Sequence, residues 1–170
     1  RSPWRLDPTI KFLNHGAFGA CPVPVLEAQR ALIDELEAGP VRFLSATFEE
    51  RLDRARREVA AVMGADPEGL VFVPNATTGV SSVLRSLRFE PGDELLTTNH
   101  EYNATINALR EVARAVGATV VIARLPLEIE TPEQVVGALL AAATPRTRLA
   151  LVSQVTSPTA TILPIEAIVR

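Results

Sequence analysis

The chain has one cysteine, Cys21, and one lysine, Lys11, among its 170 residues. A single cysteine excludes an internal disulfide and any multi-cysteine metal site. The two histidines, His15 and His100, lack the partners and spacing of a metal cluster. Aromatic residues make up only 5% of the chain. No apolar run approaches the roughly 18 residues that cross a bilayer, and no signal-peptide pattern opens the sequence. A soluble, cytoplasmic protein with no membrane partner is therefore expected. The net charge is −3, which argues against nucleic acid or another polyanion as partner. Neither GxGxxG nor GxxxxGK[ST] occurs, so dinucleotide-binding and P-loop readings fail. Internal repeats and low-complexity segments are missing too.

What is present is a hydrophobic content of 47%, enough to bury a core. Residues 1 to 24 read as an irregular arm, with Asn14-His15-Gly16-Ala17-Phe18-Gly19 as loop chemistry. Its two glycines permit close backbone approach. A helix follows Pro22 and Pro24, with Val25, Leu32, Ile33 and Leu36 on one face and Gly39-Pro40 as its stop. A second carries Phe48, Leu52, Ala55, Val59 and Val62 on a stripe, and Gly64 closes it. The spacings Glu50–Arg54 and Asp53–Arg57 predict ion pairs on its solvated side.

From Leu70 onward the pattern alternates strand and helix. Val71 to Val73, Glu94 to Thr98, Thr119 to Ala123 and Arg148 to Ser153 read as strands. Helices are expected over Thr78–Leu87, through Ile106, Leu109, Ala113 and Val116, and from Thr131-Pro132-Glu133-Gln134 to about Ala142. This rhythm predicts an α/β fold with a mostly parallel sheet flanked by helices. In such sheets ligands gather beyond the carboxyl ends of the strands. Those ends carry polar residues: Asn75, Thr77 and Thr78; then Asn99, His100, Glu101, Tyr102 and Asn103; then Ser153, Gln154, Thr156 and Ser157. The turn Pro74-Asn75-Ala76-Thr77-Thr78-Gly79 opens a helix, where free N–H groups and the helix dipole favour an anion. Two readings stay open there. Asn75 or Thr77 caps the helix, or the turn holds a phosphate while a flat side chain stacks on a ring and an amide bonds a ring substituent.

Five segments resemble, in order, those of isopenicillin N epimerase-like proteins in the class V aminotransferase group. They are Asn14-His15-Gly16-Ala17-Phe18-Gly19, Gly39-Pro40-Val41-Arg42-Phe43, Asn75-Ala76-Thr77-Thr78-Gly79, Glu101-Tyr102-Asn103-Ala104 and Val155-Thr156-Ser157-Pro158-Thr159. Together they span nearly the whole chain. The resemblance implies the fold-type-I scaffold of enzymes that use pyridoxal 5′-phosphate (PLP), whose members include epimerases, cysteine desulfurases and carbon–sulfur lyases. It assigns Ala76, Thr77 and Thr78 to the cofactor phosphate, Tyr102 or Asn103 to the pyridine ring, with Tyr102 the better stacking group, and Gln154 to the neighbourhood of the phenolic oxygen. It places Asn14, His15, Gly16, Ala17 and Arg42 on the substrate side. Ala160 stands where relatives often carry glycine.

The resemblance also implies a homodimer acting on an amino acid, with residues 1–64 as arm and helices and 65–170 as the first part of the large PLP-binding domain. Such enzymes need a lysine for the Schiff base and an acid near the pyridinium nitrogen. In the family both come later than the segment at Val155, so the chain is expected to be the N-terminal part of a longer enzyme, inactive alone. The alternative is a non-catalytic α/β module that binds a phosphorylated ligand or a protein partner. Lys11 precedes every predicted strand and is not expected to serve as the Schiff-base lysine. Incubation of the 170-residue chain with PLP, borohydride reduction and peptide mass spectrometry should therefore show only trace label at Lys11. Stoichiometric label that Thr77→Ala abolishes would overturn that expectation.

Overall fold

The computed structural model describes residues 3–169, which form two compact units, one ending at Phe72 and the other beginning at Val73. In the first unit α1 (His15–Phe18) is a single turn, α2 (Val23–Ala38) is long, and α3 (Pro40–Arg42) leads through a π-helical turn at Phe43–Thr47 into α4 (Phe48–Met63). Gly39-Pro40 breaks the path between α2 and α3, and Gly64 closes α4 in the left-handed region (φ 64°), a conformation glycine adopts without a side-chain clash. The predicted loop at Asn14–Gly19 is thus partly helical. Phe18 N–H donates to the Asn14 carbonyl at 3.0 Å.

Arg51 joins the two long helices. Its guanidinium donates to both Glu35 oxygens at 2.8 and 2.6 Å and lies 5.1 Å from the centroid of the Phe43 ring. Asp53 bonds to Arg56 in place of the predicted Arg57, and the predicted Glu50–Arg54 bridge is not among the ion pairs of the described residues. On a helix surface the residues three and four apart are both neighbours, so Asp53 can take either arginine. The apolar face of α2 stays open, with Val25, Leu32 and Ile33 about half exposed. Periodicity marks a face that favours burial but not what covers it.

The second unit is layered. Strands β1 (Glu94–Thr98), β2 (Thr119–Ala123) and β3 (Thr147–Ala150) form a parallel sheet in the order β2-β1-β3. As the central strand β1 is buried at every residue. Successive side chains point to opposite faces. Leu95 packs with Leu84, Leu109 and Ala113 of α5 (Ala76–Ser86) and α6 (Asn103–Val116), whereas Leu96 packs with Ala123, Leu125, Val135 and Leu139 on the side of α7 (Pro132–Ala142). A short α8 (Ile165–Ile168) packs beside α7. Among the described residues no helix is long and apolar enough to cross a membrane.

β1 and β2 match their predicted spans, and β3 is shorter than the predicted Arg148–Ser153. The segment Val71–Val73 is a correction. It pairs with no strand among the described residues, and its side chains are 45–79% exposed. An apolar β-branched run supplies strand propensity, but a strand also needs a partner ladder.

At the amino end of β1 the Glu94 carboxylate gathers the start of β3. It accepts from Thr144 Oγ1 at 2.6 Å and from Arg146 Nε and Nη2 at 3.1 and 2.6 Å. The Thr144 hydroxyl, then Arg146, holds the Glu94 carboxyl below its ordinary range. A lowered folded-state pKa contributes stability above the unfolded value, and that contribution is lost as pH falls through the folded one. Thermal melts between neutral pH and the acid end of the carboxylate range should therefore show wild type losing stability more steeply than Glu94→Gln. Parallel curves would contradict this role.

Candidate functional site

Helix direction decides which residues meet. α6 follows β1 and leads back to the start of β2, so its first turn lies at the carboxyl end of the sheet. Its C-cap Gly117 accepts from Gly92 N–H at 2.9 Å, which places the far end of α6 beside the turn entering β1. α5 reaches that same turn through the short link from Leu87 to Asp93, so α5 and α6 run alongside each other in the same direction. The Arg85–Glu111 ion pair at 3.2 Å fits that arrangement. The first turns of α5 and α6 and the chain leaving β3 therefore lie at one edge of the unit, the edge that carries Ala76, Thr77, Thr78, Tyr102, Asn103 and Gln154.

At α5 the cap is Asn75. Its Oδ1 accepts from Thr78 N–H at 2.9 Å and from the Thr78 hydroxyl at 3.1 Å. Because this cap starts the helix at Ala76, the predicted beginning at Thr78 was late. The first N–H groups of a helix have no intrahelical acceptor. Thr78 spends both its donors on Asn75, whereas the N–H groups of Ala76 and Thr77 and the Thr77 hydroxyl have no protein partner among the described residues. All three sit on exposed residues. Gly79 keeps this turn close to the preceding segment, since a Cβ there would lie 3.3 Å from Val73 Cγ2.

Tyr102 is the N-cap residue of α6 and is half exposed, so its ring is available to a ligand. Asn103 is exposed on the first turn. Gln154 is exposed too, while its carbonyl accepts from Leu163 N–H at 2.8 Å. Not every polar residue at the strand ends is available. Asn99 exchanges two hydrogen bonds with the Leu125 backbone, at 3.0 and 2.7 Å, tying the exit of β2 to that of β1. His100 is buried and its Nδ1 lies 3.2 Å from Thr159 Oγ1, within a hydroxyl cluster that includes Thr156 and Thr161. Ala160 turns this loop with a φ of 52°, a value glycine would hold with less strain. Glu101, to which the sequence reading gave no role, is buried and bonded to Tyr102 and Ser153. Its place between a strand end and a helix start was the only signal available for it.

Asn14, His15, Gly16, Ala17 and Arg42 belong to the first unit. His15 lies against two rings, 4.8 Å from Phe12 edge-on and 5.2 Å from Trp4. Gly16 has open space where a side chain would be, while a Cβ on Gly19 would sit 2.8 Å from the His15 carbonyl. The close approach that the glycine pattern predicts is thus made at Gly19, within its own turn. Arg42 is exposed and lies over Gly39.

Residues 12–170 match the Aminotransferase class-V family. The chain is 38% identical over 162 residues to isopenicillin N epimerase of Amycolatopsis lactamdurans, covering 94% of this chain and 40% of that protein. It is 29% identical to a putative L-cysteine desulfhydrase of rice, Oryza sativa subsp. japonica, covering 96% of this chain and 37% of the relative. Among solved structures it is similar to the cystine C–S lyase C-DES with glycine covalently linked to its PLP cofactor, with a TM-score of 0.85 and 26% identity over 93% of this chain and 41% of that one. The chain thus spans about 40% of the length of the relatives it matches.

Asn75 and Thr77, at the start of α5, should separate in thermal melts. Asn75→Ala removes the cap and should cost about 1 kcal/mol. Thr77→Ala removes a hydroxyl with no partner among the described residues and should stay within about 0.5 kcal/mol of wild type. Equal losses would show that Thr77 shares the capping role.

Proposed function

As the chain belongs to the class-V aminotransferase family, we propose that its second unit binds PLP, with the phosphate at the first turn of α5. The observation that carries this reading is the division of labour there. Asn75 takes the capping role, which leaves the Ala76 and Thr77 N–H groups and the Thr77 hydroxyl, on exposed residues of one helix turn, without a protein partner among the described residues. These are the donors a phosphate needs, set where the helix dipole favours negative charge. The residues present therefore fit the group. Thr78 supports the turn through Asn75 and does not itself donate to the ligand.

Tyr102 stacks on the pyridine ring, Asn103 borders it, and the Gln154 amide faces the phenolic oxygen. The aromatic face and the amide orient the ring, and the Tyr102 body helps keep water from it. When bound, PLP supplies an electron sink that stabilises negative charge at the Cα of an amino acid. The relatives favour a parent enzyme that acts on an amino acid by removing its Cα proton, in racemisation or epimerisation, or by elimination at a carbon–sulfur bond. Asn14, His15, Gly16, Ala17 and Arg42 serve the substrate side in this reading, Arg42 as a cation for a carboxylate. The parent is read as a homodimer, supported by exposed apolar side chains of the first unit such as Leu13, Phe18 and Val41.

Titration of PLP into the full chain tests the contacts one by one. Thr77→Ala should weaken binding by about 1.5–3 kcal/mol, the value of a hydrogen bond to a charged group. Tyr102→Phe should keep most of the affinity, because the ring is what matters, and Tyr102→Ala should lose it. If the two Tyr102 variants behave alike, the stacking role is wrong.

A further inference from the structure

Glu101 is a carboxylate only 5% exposed, and no arginine, lysine or histidine among the described residues forms a salt bridge with it. A buried carboxylate is costly unless its oxygens are fully hydrogen-bonded. Here they are. Oε1 accepts from Tyr102 N–H at 2.8 Å and from the Ser153 hydroxyl at 2.7 Å, and Oε2 accepts from Ser153 N–H at 3.0 Å. The donors lie on two different segments: the entry to α6 and the chain leaving β3. One side chain therefore bridges the carboxyl ends of neighbouring strands.

What it bridges is specific. Tyr102 is itself the ring-stacking residue of the proposed function, and Ser153 immediately precedes Gln154, the amide of that reading. The stretch carrying Gln154 is internally braced as well. Leu163 N–H holds the Gln154 carbonyl at 2.8 Å, and Thr156 and Thr161 exchange backbone and hydroxyl bonds. A braced segment moves as one piece, so a clamp on Ser153 locates Gln154 as well.

We propose that Glu101 is a positioning residue: its carboxylate holds Tyr102 and Gln154 at a fixed separation, so that ring face and amide stand ready before the cofactor arrives. The inference rests on the reading of Tyr102 as a ring contact. The chemistry calls for a carboxylate. Both backbone groups that face it are N–H donors, one at each oxygen, and each needs an acceptor. Glutamine offers one acceptor oxygen and would turn its NH2 group toward the other N–H. An isosteric Glu101→Gln change therefore loosens one arm of the clamp while keeping the volume.

The test uses the full chain, PLP as the probe, and two readouts: affinity, and the visible circular dichroism of the bound cofactor, which reports how rigidly the ring is held. Glu101→Gln should weaken PLP binding about five- to tenfold, as for one lost buried hydrogen bond, and reduce the dichroism. Tyr102→Ala should do the same or more. The double variant should bind about as Tyr102→Ala alone does, since a residue acting through another shows a non-additive effect. Should Glu101→Gln fold poorly, Ser153→Ala removes a single donor and should give a smaller loss in the same two readouts. Weakened binding in Tyr102→Ala beside wild-type affinity and dichroism in Glu101→Gln and Ser153→Ala would overturn the clamp and leave the cofactor reading standing. Fully additive losses in the double variant would also overturn it. Wild-type binding in Tyr102→Ala would overturn the stacking role, and the clamp with it.

Discussion

Two parallel strands cannot be joined by a tight turn, and that constraint shapes the whole second unit. The chain must cross back over the sheet between β1 and β2 and again between β2 and β3, and it does so through α6 and α7. Each crossover helix then begins where a strand ends. α5 enters β1 through a short link and so follows the same direction. Helix starts, with their unpaired N–H groups, are thus brought to one edge together with the strand-end loops. No local motif had to encode that convergence, because the connectivity does.

Convergence alone does not make a site, since polar groups near one another tend to satisfy one another. The structure shows which of them do. Asn75 caps α5, Asn99 ties two strand exits together, and Glu101 joins β1 to the segment after β3. All three support the frame, and two of them stand close to a side chain left free: Thr77 two positions after Asn75, Tyr102 directly after Glu101. A fixed frame with a few free donors is the arrangement that ligand binding favours, because little order remains to be imposed when the ligand arrives.

How far the sequence could be read follows from the same physics. Thr119–Ala123 was legible because it is a short β-branched run, and Glu94–Thr98 because it falls between two helical patterns in a strand–helix alternation. α4 was legible because its stripe and its closing Gly64 agree, and α6 because of the stripe through Ile106, Leu109, Ala113 and Val116. Val71–Val73 misled because strand propensity says nothing about whether a partner strand is present. The exposed stripe of α2 misled in the same way. At the site, the turn at Asn75–Thr78 was visible as a helix start, but which residue caps and which stays free depends on side-chain geometry that no spacing encodes. Glu101 was invisible as a clamp because its partner Ser153 is distant in sequence. The fork between Arg51 and Glu35 was missed for that reason too. Membership of the class-V family was legible from five ordered segments, none decisive alone, and the match over residues 12–170 bears it out.

The central claim is that the first turn of α5 holds the phosphate of PLP. The most direct measurement compares PLP with pyridoxal, which keeps the ring and aldehyde but lacks the phosphate, on wild type and Thr77→Ala. If the phosphate sits at Thr77, the substitution should weaken PLP by about tenfold or more, as for a lost hydrogen bond to a charged group, and leave pyridoxal affinity as it was. Equal losses for the two ligands, or none for PLP, would contradict the account.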